Sequence, residues 1–271
     1  MSRLLLVGLG VMGNAILTSF RLYQFSEIYV MDGDFIDSKN LFSQPLYDKG
    51  DIGKLKAEVI SSKLGKTGKK FIGIPSYLYN ISQIEEISPD LIIDATDNIS
   101  SKELINQYSL TKNVPAIITS VSESKGFAFK PTREYACFDC ILSNSFVKQI
   151  ECTKASLPIA IKLSILLNAF LTDKNNFLEI SKEGERRLLI NKAKECKFGK
   201  IEMYQICGNS IKVLPRLPLD TGLIEKAGKK INDIIIVNEG KSRFVVTTKG
   251  EILAENASVN DINNFINKYK L

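Results

Sequence analysis

The chain contains no histidine at all. That absence excludes a Ser-His-Asp triad, a Cys-His dyad and every histidine metal ligand. Acid–base work must fall to carboxylates, lysines, tyrosines or cysteines, and a zinc site would have to be built largely from thiolates. Cysteine is scarce as well, with five in 271 residues, odd in number and unevenly spaced. A secreted disulfide scaffold would be shorter and denser in cysteine, so a reducing, cytoplasmic setting is expected. Charge of one sign is in small excess: 36 Lys+Arg against 30 Asp+Glu gives +6. Such a surplus tunes encounters with anionic ligands and does not argue for nucleic acid. No apolar run is long enough to span a membrane. Arg3 followed by Leu4 to Met12 imitates the start of a signal peptide, but three glycines by Gly13 and no small-x-small cleavage site follow. A buried strand entering a glycine turn is the better reading.

What is present points to a globular α/β protein. Residues are 44% hydrophobic and 24% charged, which excludes dominant disorder and suits one large domain with a small appendage. Leu4 to Val7 is a continuous apolar run of the kind found in strands covered on both faces. Gly8, Gly10 and Gly13 follow with G-x-G-x-x-G spacing. A helix is expected over Asn14 to Phe25 and a second strand over Glu27 to Met31, ending at Asp32. The glycines permit a tight turn, close approach of a phosphate and presentation of helix N–H groups to an anion, while Asp32 is placed to accept from ribose hydroxyls. Helices over Lys54 to Leu64 and Ser101 to Thr111 alternate with strands over Phe71 to Ile74, Leu91 to Asp94 and Ala116 to Ser120. This rhythm predicts a Rossmann-like, doubly wound, mostly parallel sheet. An antiparallel strand is expected over Gly126 to Lys130, and an apolar helix over Leu157 to Leu171. The lysine-rich stretch Asp173 to Lys200 reads as a linker or an excursion with a charged helix. Four short strands (Ile211 to Leu214, Ile234 to Val237, Arg243 to Thr247, Glu251 to Ala254) and a helix over Val259 to Tyr269 predict a small C-terminal α+β segment. The expected domains are therefore 1–172, a connecting 173–200, and 201–271.

A lone G-x-G-x-x-G also fits an NAD-dependent oxidoreductase. Asp32 and Asp34, then Asn40, Gln44, Gly53 and Lys56, form a series that a dehydrogenase does not need. An enzyme that spreads ATP across the sheet edge needs an acid for the ribose, amides near the phosphates and a lysine to screen charge. The stretch from Met31 to Gln44 resembles the D-x-D-x-V-x-x-S-N-L-x-R-Q segment of the ThiF/MoeB/HesA adenylyltransferases, relatives of ubiquitin-activating enzymes. Asp51 to Ala57 resembles that family's D-x-G-x-x-K-A, and Asp94 to Asn98 its D-x-x-D-N. Lys102 and Asn106 fall on polar positions of the next helix. Cys137 and Cys140 resemble the first half of the family's zinc site, and Cys152 stands where members often carry a cysteine. The likeness runs in order from residue 4 to about 171 and continues more loosely through the tail.

The resemblance implies ATP-dependent adenylation of the C-terminal carboxylate of a small carrier protein or peptide, by a homodimer. It implies that Lys56 and Asp97 are catalytic, with Asp97 holding Mg²⁺. Gly8, Gly10, Gly13, Asp32, Asp34, Asn40, Gln44 and Asn98 would bind the nucleotide. Cys137, Cys140, Cys196 and Cys207 are the zinc candidates, and Cys152 is either a covalent thiol or a small buried hydrophobe. Two departures stand out. The family's arginine before Gln44 is Ser43 here, and the chain opens directly on its first strand, without the arm that often carries another arginine. Lys39 and Lys54 are the nearby cations that could compensate, without arginine's bidentate geometry. A ThiF-like binding or scaffold protein that has lost turnover is the alternative these departures keep open.

Overall fold

The computed structural model describes residues 2–143, 155–194, 196, 201–205, 210–215, 219–231, 234–247 and 251–270. They fall into two compact units, Met1–Cys196 and Lys197–Leu271.

The larger unit is built on one eight-stranded sheet. The strands are β1 (Arg3–Val7), β2 (Glu27–Met31), β3 (Lys70–Ile74), β4 (Leu91–Asp94), β5 (Ala116–Val121), β6 (Lys125–Phe129), β7 (Phe177–Ser181) and β8 (Glu185–Leu188). They lie in the order β3-β2-β1-β4-β5-β6-β7-β8. From β3 to β5 every pairing is parallel, and from β5 onward every pairing is antiparallel. The parallel strands read as unbroken apolar runs because both sheet faces are covered. Leu4 and Leu6 join a core with α1 (Val11–Ser19), α2 (Lys56–Gly65) and α6 (Leu157–Phe170), while Leu5, pointing the other way, is equally inaccessible. The order reverses between β1 and β4, where Val7 is level with both Met31 and Asp94. The loops leaving β1, β2 and β4 therefore meet at one edge, the usual ligand-binding edge of such sheets.

Three local expectations are corrected. The first helix ends at Ser19 and gives way to a 3₁₀ turn at Leu22–Gln24. Phe20 and Phe25 are both buried, with ring centroids 6.4 Å apart, whereas one unbroken helix would aim side chains five residues apart in different directions. The described residues of Asp173 to Lys200, expected as a linker or an excursion with a charged helix, carry the strands β7 and β8 and no helix. Phe177, Leu178 and Ile180 are buried against the sheet, and Glu179 pairs with Arg186 across the strands at 2.7 Å. Three short helices, α3 (Ser82–Ile87), α5 (Phe138–Ser143) and, in the smaller unit, α7 (Thr221–Ala227), stand where none was expected.

The smaller unit is an antiparallel sheet in the order β11-β12-β13-β14-β10-β9. Its strands are β9 (Ile201–Gln205), β10 (Ser210–Pro215), β11 (Lys229–Ile231), β12 (Ile234–Glu239), β13 (Ser242–Thr247) and β14 (Ile252–Glu255). Helix α8 (Val259–Tyr269) buries Ile262, Phe265, Ile266 and Tyr269, one stripe at i, i+3, i+4 and i+7, and a Ser258–Asp261 capping box starts it. Phe265 stacks on Phe244 of β13 at 4.1 Å. Residues 248–250, between β13 and β14, lie outside the described residues. Among those described, no helix is long and apolar enough to cross a membrane.

Candidate active site

The turn after β1 is shaped by what its glycines lack. Gly8 has φ +92°, and a Cβ there would stand 2.7 Å from the Ala95 backbone, so the β1 and β4 loops are in direct contact. A Cβ on Gly13 would stand 2.1 Å from the Gly8 carbonyl oxygen. Gly10 differs, since a Cβ there would meet nothing within 4 Å, and its bare backbone faces open space. Asp32 holds this turn in place. Its carboxylate accepts from the Leu9 N–H at 2.7 Å and from the Asp34 N–H at 2.8 Å. Burial pushes the Asp32 carboxyl upward, against the pull of Lys56 and these two N–H groups. Each oxygen keeps a second lone pair for a ligand hydroxyl. Two residues outside the expected set finish the scaffold. The Asn14 amide donates to the Leu9 and Gly10 carbonyls, and the Tyr47 hydroxyl donates to the Leu9 carbonyl at 3.0 Å.

Lys56 is buried, and its Nζ lies 2.8 Å from Asp34 Oδ2. Asp34 is half exposed and also accepts the Tyr77 hydroxyl at 2.6 Å. Burial raises the Asp34 carboxyl, but Lys56 and Tyr77 outweigh it and hold the group below the usual range. The ammonium carries three donors and makes one hydrogen bond among the described residues, which leaves capacity for an anion. Lys54 and Lys39, the cations that could compensate for the missing arginine, are placed differently. Lys54 instead points outward to Asp51 at 3.6 Å, as Lys39 does to Asp37 at 3.6 Å, and neither lines the cavity.

The cavity at this edge has a volume of about 550 Å³ and is lined by the glycine turn, Asp32, Asp34, Asn40, Gln44, Lys56, Tyr77, Asp97 and Asn98. Its size falls in the range of cofactor sites. Gln44 is buried, and its Oε1 has no hydrogen-bond partner among the described residues, an acceptor left over for a ligand donor. Asn40 Oδ1 accepts the Asp37 N–H, and Asn98 Oδ1 accepts the Ser101 N–H to cap α4 (Ile99–Lys112), so both side chains also have local structural work. Asp97 is exposed, with no ion-pair or hydrogen-bond partner among the described residues, and suits a hydrated cation such as Mg²⁺ shared with phosphates. Asp94, three residues earlier, does something else. It forms a fully buried pair with Lys102 at 2.6 Å, and Lys102 also donates to the Thr96 and Thr119 carbonyls, each at 2.7 Å. This pair fixes the loop that presents Asp97.

Away from the cavity, Cys137, Cys140 and Cys196 bring their sulfurs within 4.8 Å of one another, with 3.5 Å between Cys137 and each of the others. Thiolates around one tetrahedral zinc stand about 3.8 Å apart, given Zn–S bonds of about 2.3 Å. The three therefore suit a zinc ion. Asn106 anchors the first pair by accepting the Phe138 N–H at 2.9 Å. Cys207, the expected fourth ligand, and Cys152 lie outside the described residues.

Comparison with known proteins agrees with this geometry. The family model described as "ThiF family" matches residues 1–224. A Saccharomyces cerevisiae protein named ubiquitin-activating enzyme E1-like is 28% identical over 165 residues, 58% of this chain and 26% of that protein. A probable molybdopterin-synthase adenylyltransferase from Porphyra purpurea is 33% identical over 129 residues, 46% of this chain and 34% of that one. An adenylyltransferase and sulfurtransferase UBA4 from Meyerozyma guilliermondii is 30% identical over 141 residues, 49% of this chain and 33% of its own length. The chain thus spans a quarter to a third of these relatives. Among solved structures, E. coli MccB with ATP superposes with a TM-score of 0.57 at 18% identity, covering 72% of this chain and 65% of that one. PaaA superposes with a TM-score of 0.56 at 19% identity, covering 71% and 65%. These likenesses show the fold. With its family match running from the glycine turn through the thiol cluster and beyond, the chain belongs to the ThiF family.

Proposed function

We propose that the protein activates a carboxylate by adenylation. The C-terminal carboxylate of a small carrier protein or peptide attacks the α-phosphate of ATP, a carboxyl-oxygen-to-phosphorus bond forms, the bond from that phosphorus to the bridging oxygen breaks, and pyrophosphate leaves. One observation carries this reading: a buried lysine with unused donors faces the same cavity as a bare glycine turn and an exposed carboxylate. The reaction brings two anions together, so the site must supply positive charge and fixed donors. Lys56 screens the phosphates, the N–H groups of the glycine turn donate to their oxygens, and Asp32 accepts from the ribose hydroxyls. Gln44 Oε1 accepts from the nucleotide. Mg²⁺ at Asp97 would neutralise phosphate charge. Zinc at the three thiols is structural in this reading, and the active form is a homodimer.

Names among the relatives support carriers or peptides as substrates, and the carboxylate source can be sought in any small protein encoded beside this one. A Gly-Gly end would indicate a sulfur carrier, and an Asn or Glu end a peptide to be modified. With that substrate, Asp97→Ala and Lys56→Ala should each lower ATP–pyrophosphate exchange about 10²-fold or more, the scale of losing a charge-stabilising group. Cys152→Ala should leave exchange nearly unchanged, because a thiol acts only after the acyl-adenylate forms. Exchange that survives Asp97→Ala, or that vanishes in folded Cys152→Ala, would overturn these roles. A specific observation favours one second reading, nucleotide binding without turnover. Ser43 stands where the family pattern that the chain resembles has an arginine, and neither Lys39 nor Lys54 lines the cavity to compensate. That reading predicts ATP binding with no exchange.

A further inference from the structure

Tyr77, on the segment between β3 and α3, lines the cavity yet has no task in the reaction above. It is 58% exposed, and three contacts nevertheless hold it in place. Its hydroxyl donates to Asp34 Oδ1 at 2.6 Å. Its ring lies against Gly33, where a Cβ would come within 2.7 Å of two ring carbons, so the absence of a side chain is what lets the ring sit there. Its backbone is pinned from α3. Gln83 Nε2 donates to the Tyr77 carbonyl at 3.0 Å and to Ser76 Oγ at 3.3 Å, while Gln83 Oε1 accepts from the Tyr79 N–H at 2.9 Å and the Asn80 N–H at 3.2 Å. The Asp34 carboxylate also raises the Tyr77 phenol, which keeps the hydroxyl protonated as a donor. An exposed aromatic side chain is thus fixed by polar contacts rather than by burial.

We infer that Tyr77 is the wall on which the nucleobase stacks, next to the ribose acceptor Asp32. This assignment rests on the nucleotide reading above and adds a specificity-determining residue to it. One side of the ring covers Gly33, and the exposed remainder borders the cavity. A planar base has a π-face whatever its identity, and a wall already held in place loses little freedom when the base arrives. The hydroxyl offers a competing role. Through Asp34 it could act on Lys56, and its loss would then weaken every phosphate ligand alike. The two roles separate on whether the ligand carries a base.

Titration calorimetry of the full chain, with MgATP and with inorganic tripolyphosphate plus Mg²⁺, decides between them. Tyr77→Leu should weaken MgATP binding about 5- to 150-fold, the measured range for losing one base–aromatic stack. Tripolyphosphate affinity should stay within about twofold, which also shows that the variant is folded. Tyr77→Phe, which keeps the ring, should restore most of the MgATP affinity. Equal weakening of both ligands in Tyr77→Leu, or unchanged MgATP binding, overturns the wall while leaving the nucleotide reading intact. Wild-type protein that binds tripolyphosphate and not MgATP overturns both.

Discussion

At the scale of single residues, the largest energetic stake is the Asp94–Lys102 pair, both members at most 1% exposed. Two charges so far from water are tolerable only because each is fully engaged. Lys102 reaches one carboxylate oxygen and two carbonyls, and Asp94 also accepts the Thr96 hydroxyl at 2.7 Å. Truncating one member strands the other. Lys102→Ala should therefore destabilise the larger unit by about 3–5 kcal/mol, readable as a lower denaturant midpoint in chemical unfolding. A loss under 1 kcal/mol would mean that the pair is not buried as described. The end of the second strand marked Asp32 as a site residue because strand ends after a glycine turn announce themselves locally, whereas Lys56 and Asp97 were marked by the family resemblance. Tyr77 and Tyr47 carry no such signal. Their roles come from partners 43 and 38 residues away, Asp34 and the Leu9 carbonyl, and only the folded chain brings these together.

At the scale of elements, the turn between β1 and α1 separates architecture from binding. Gly13→Ala would drive a methyl group into the Gly8 carbonyl, so it should lower Tm by several degrees and abolish nucleotide binding together. Gly10→Ala has room and should leave Tm within about a degree, yet weaken MgATP because the methyl occupies the space a phosphate would approach. Thermal melts paired with nucleotide titrations check both. Apolar strands β1, β2 and β4 were legible because burial on both faces leaves no other reading of such runs. Strands β7 and β8 were not, because β7 (Phe-Leu-Glu-Ile-Ser) buries two adjacent residues and β8 (Glu-Arg-Arg-Leu) is mostly charged, so neither shows a period-two pattern. Arg187 of β8 lies 2.7 Å from Asp173, just past the end of α6. The Asn175 N–H first, and Arg187 next, hold the Asp173 carboxyl below the usual carboxylate range. Stability from this group is complete above the unfolded carboxylate pKa and is lost as pH falls through the lowered folded value. Asp173→Asn should accordingly flatten the acid side of a Tm-against-pH curve, and an unchanged acid limb would show that the contact contributes nothing.

At the scale of the whole molecule, two compact units carry different degrees of legibility. The doubly wound sheet and its nucleotide edge follow from a pattern of local signals repeated in order, while the smaller unit was visible only as short strands and one helix. Its α8 was read to the residue, because a capping box and a four-residue apolar stripe mark both ends of that helix. Metal analysis of protein purified without chelator should find about one zinc per chain, and Cys137→Ser should abolish it. A folded, zinc-free wild type would refute the thiolate site. The central claim is that this edge of the sheet takes ATP rather than a nicotinamide dinucleotide, and calorimetric titration of the intact chain with MgATP, NAD⁺ and NADH tests it most directly. Saturable binding of MgATP with no measurable binding of NAD⁺ or NADH is the predicted result, and tight NAD⁺ or NADH binding without MgATP binding would contradict it.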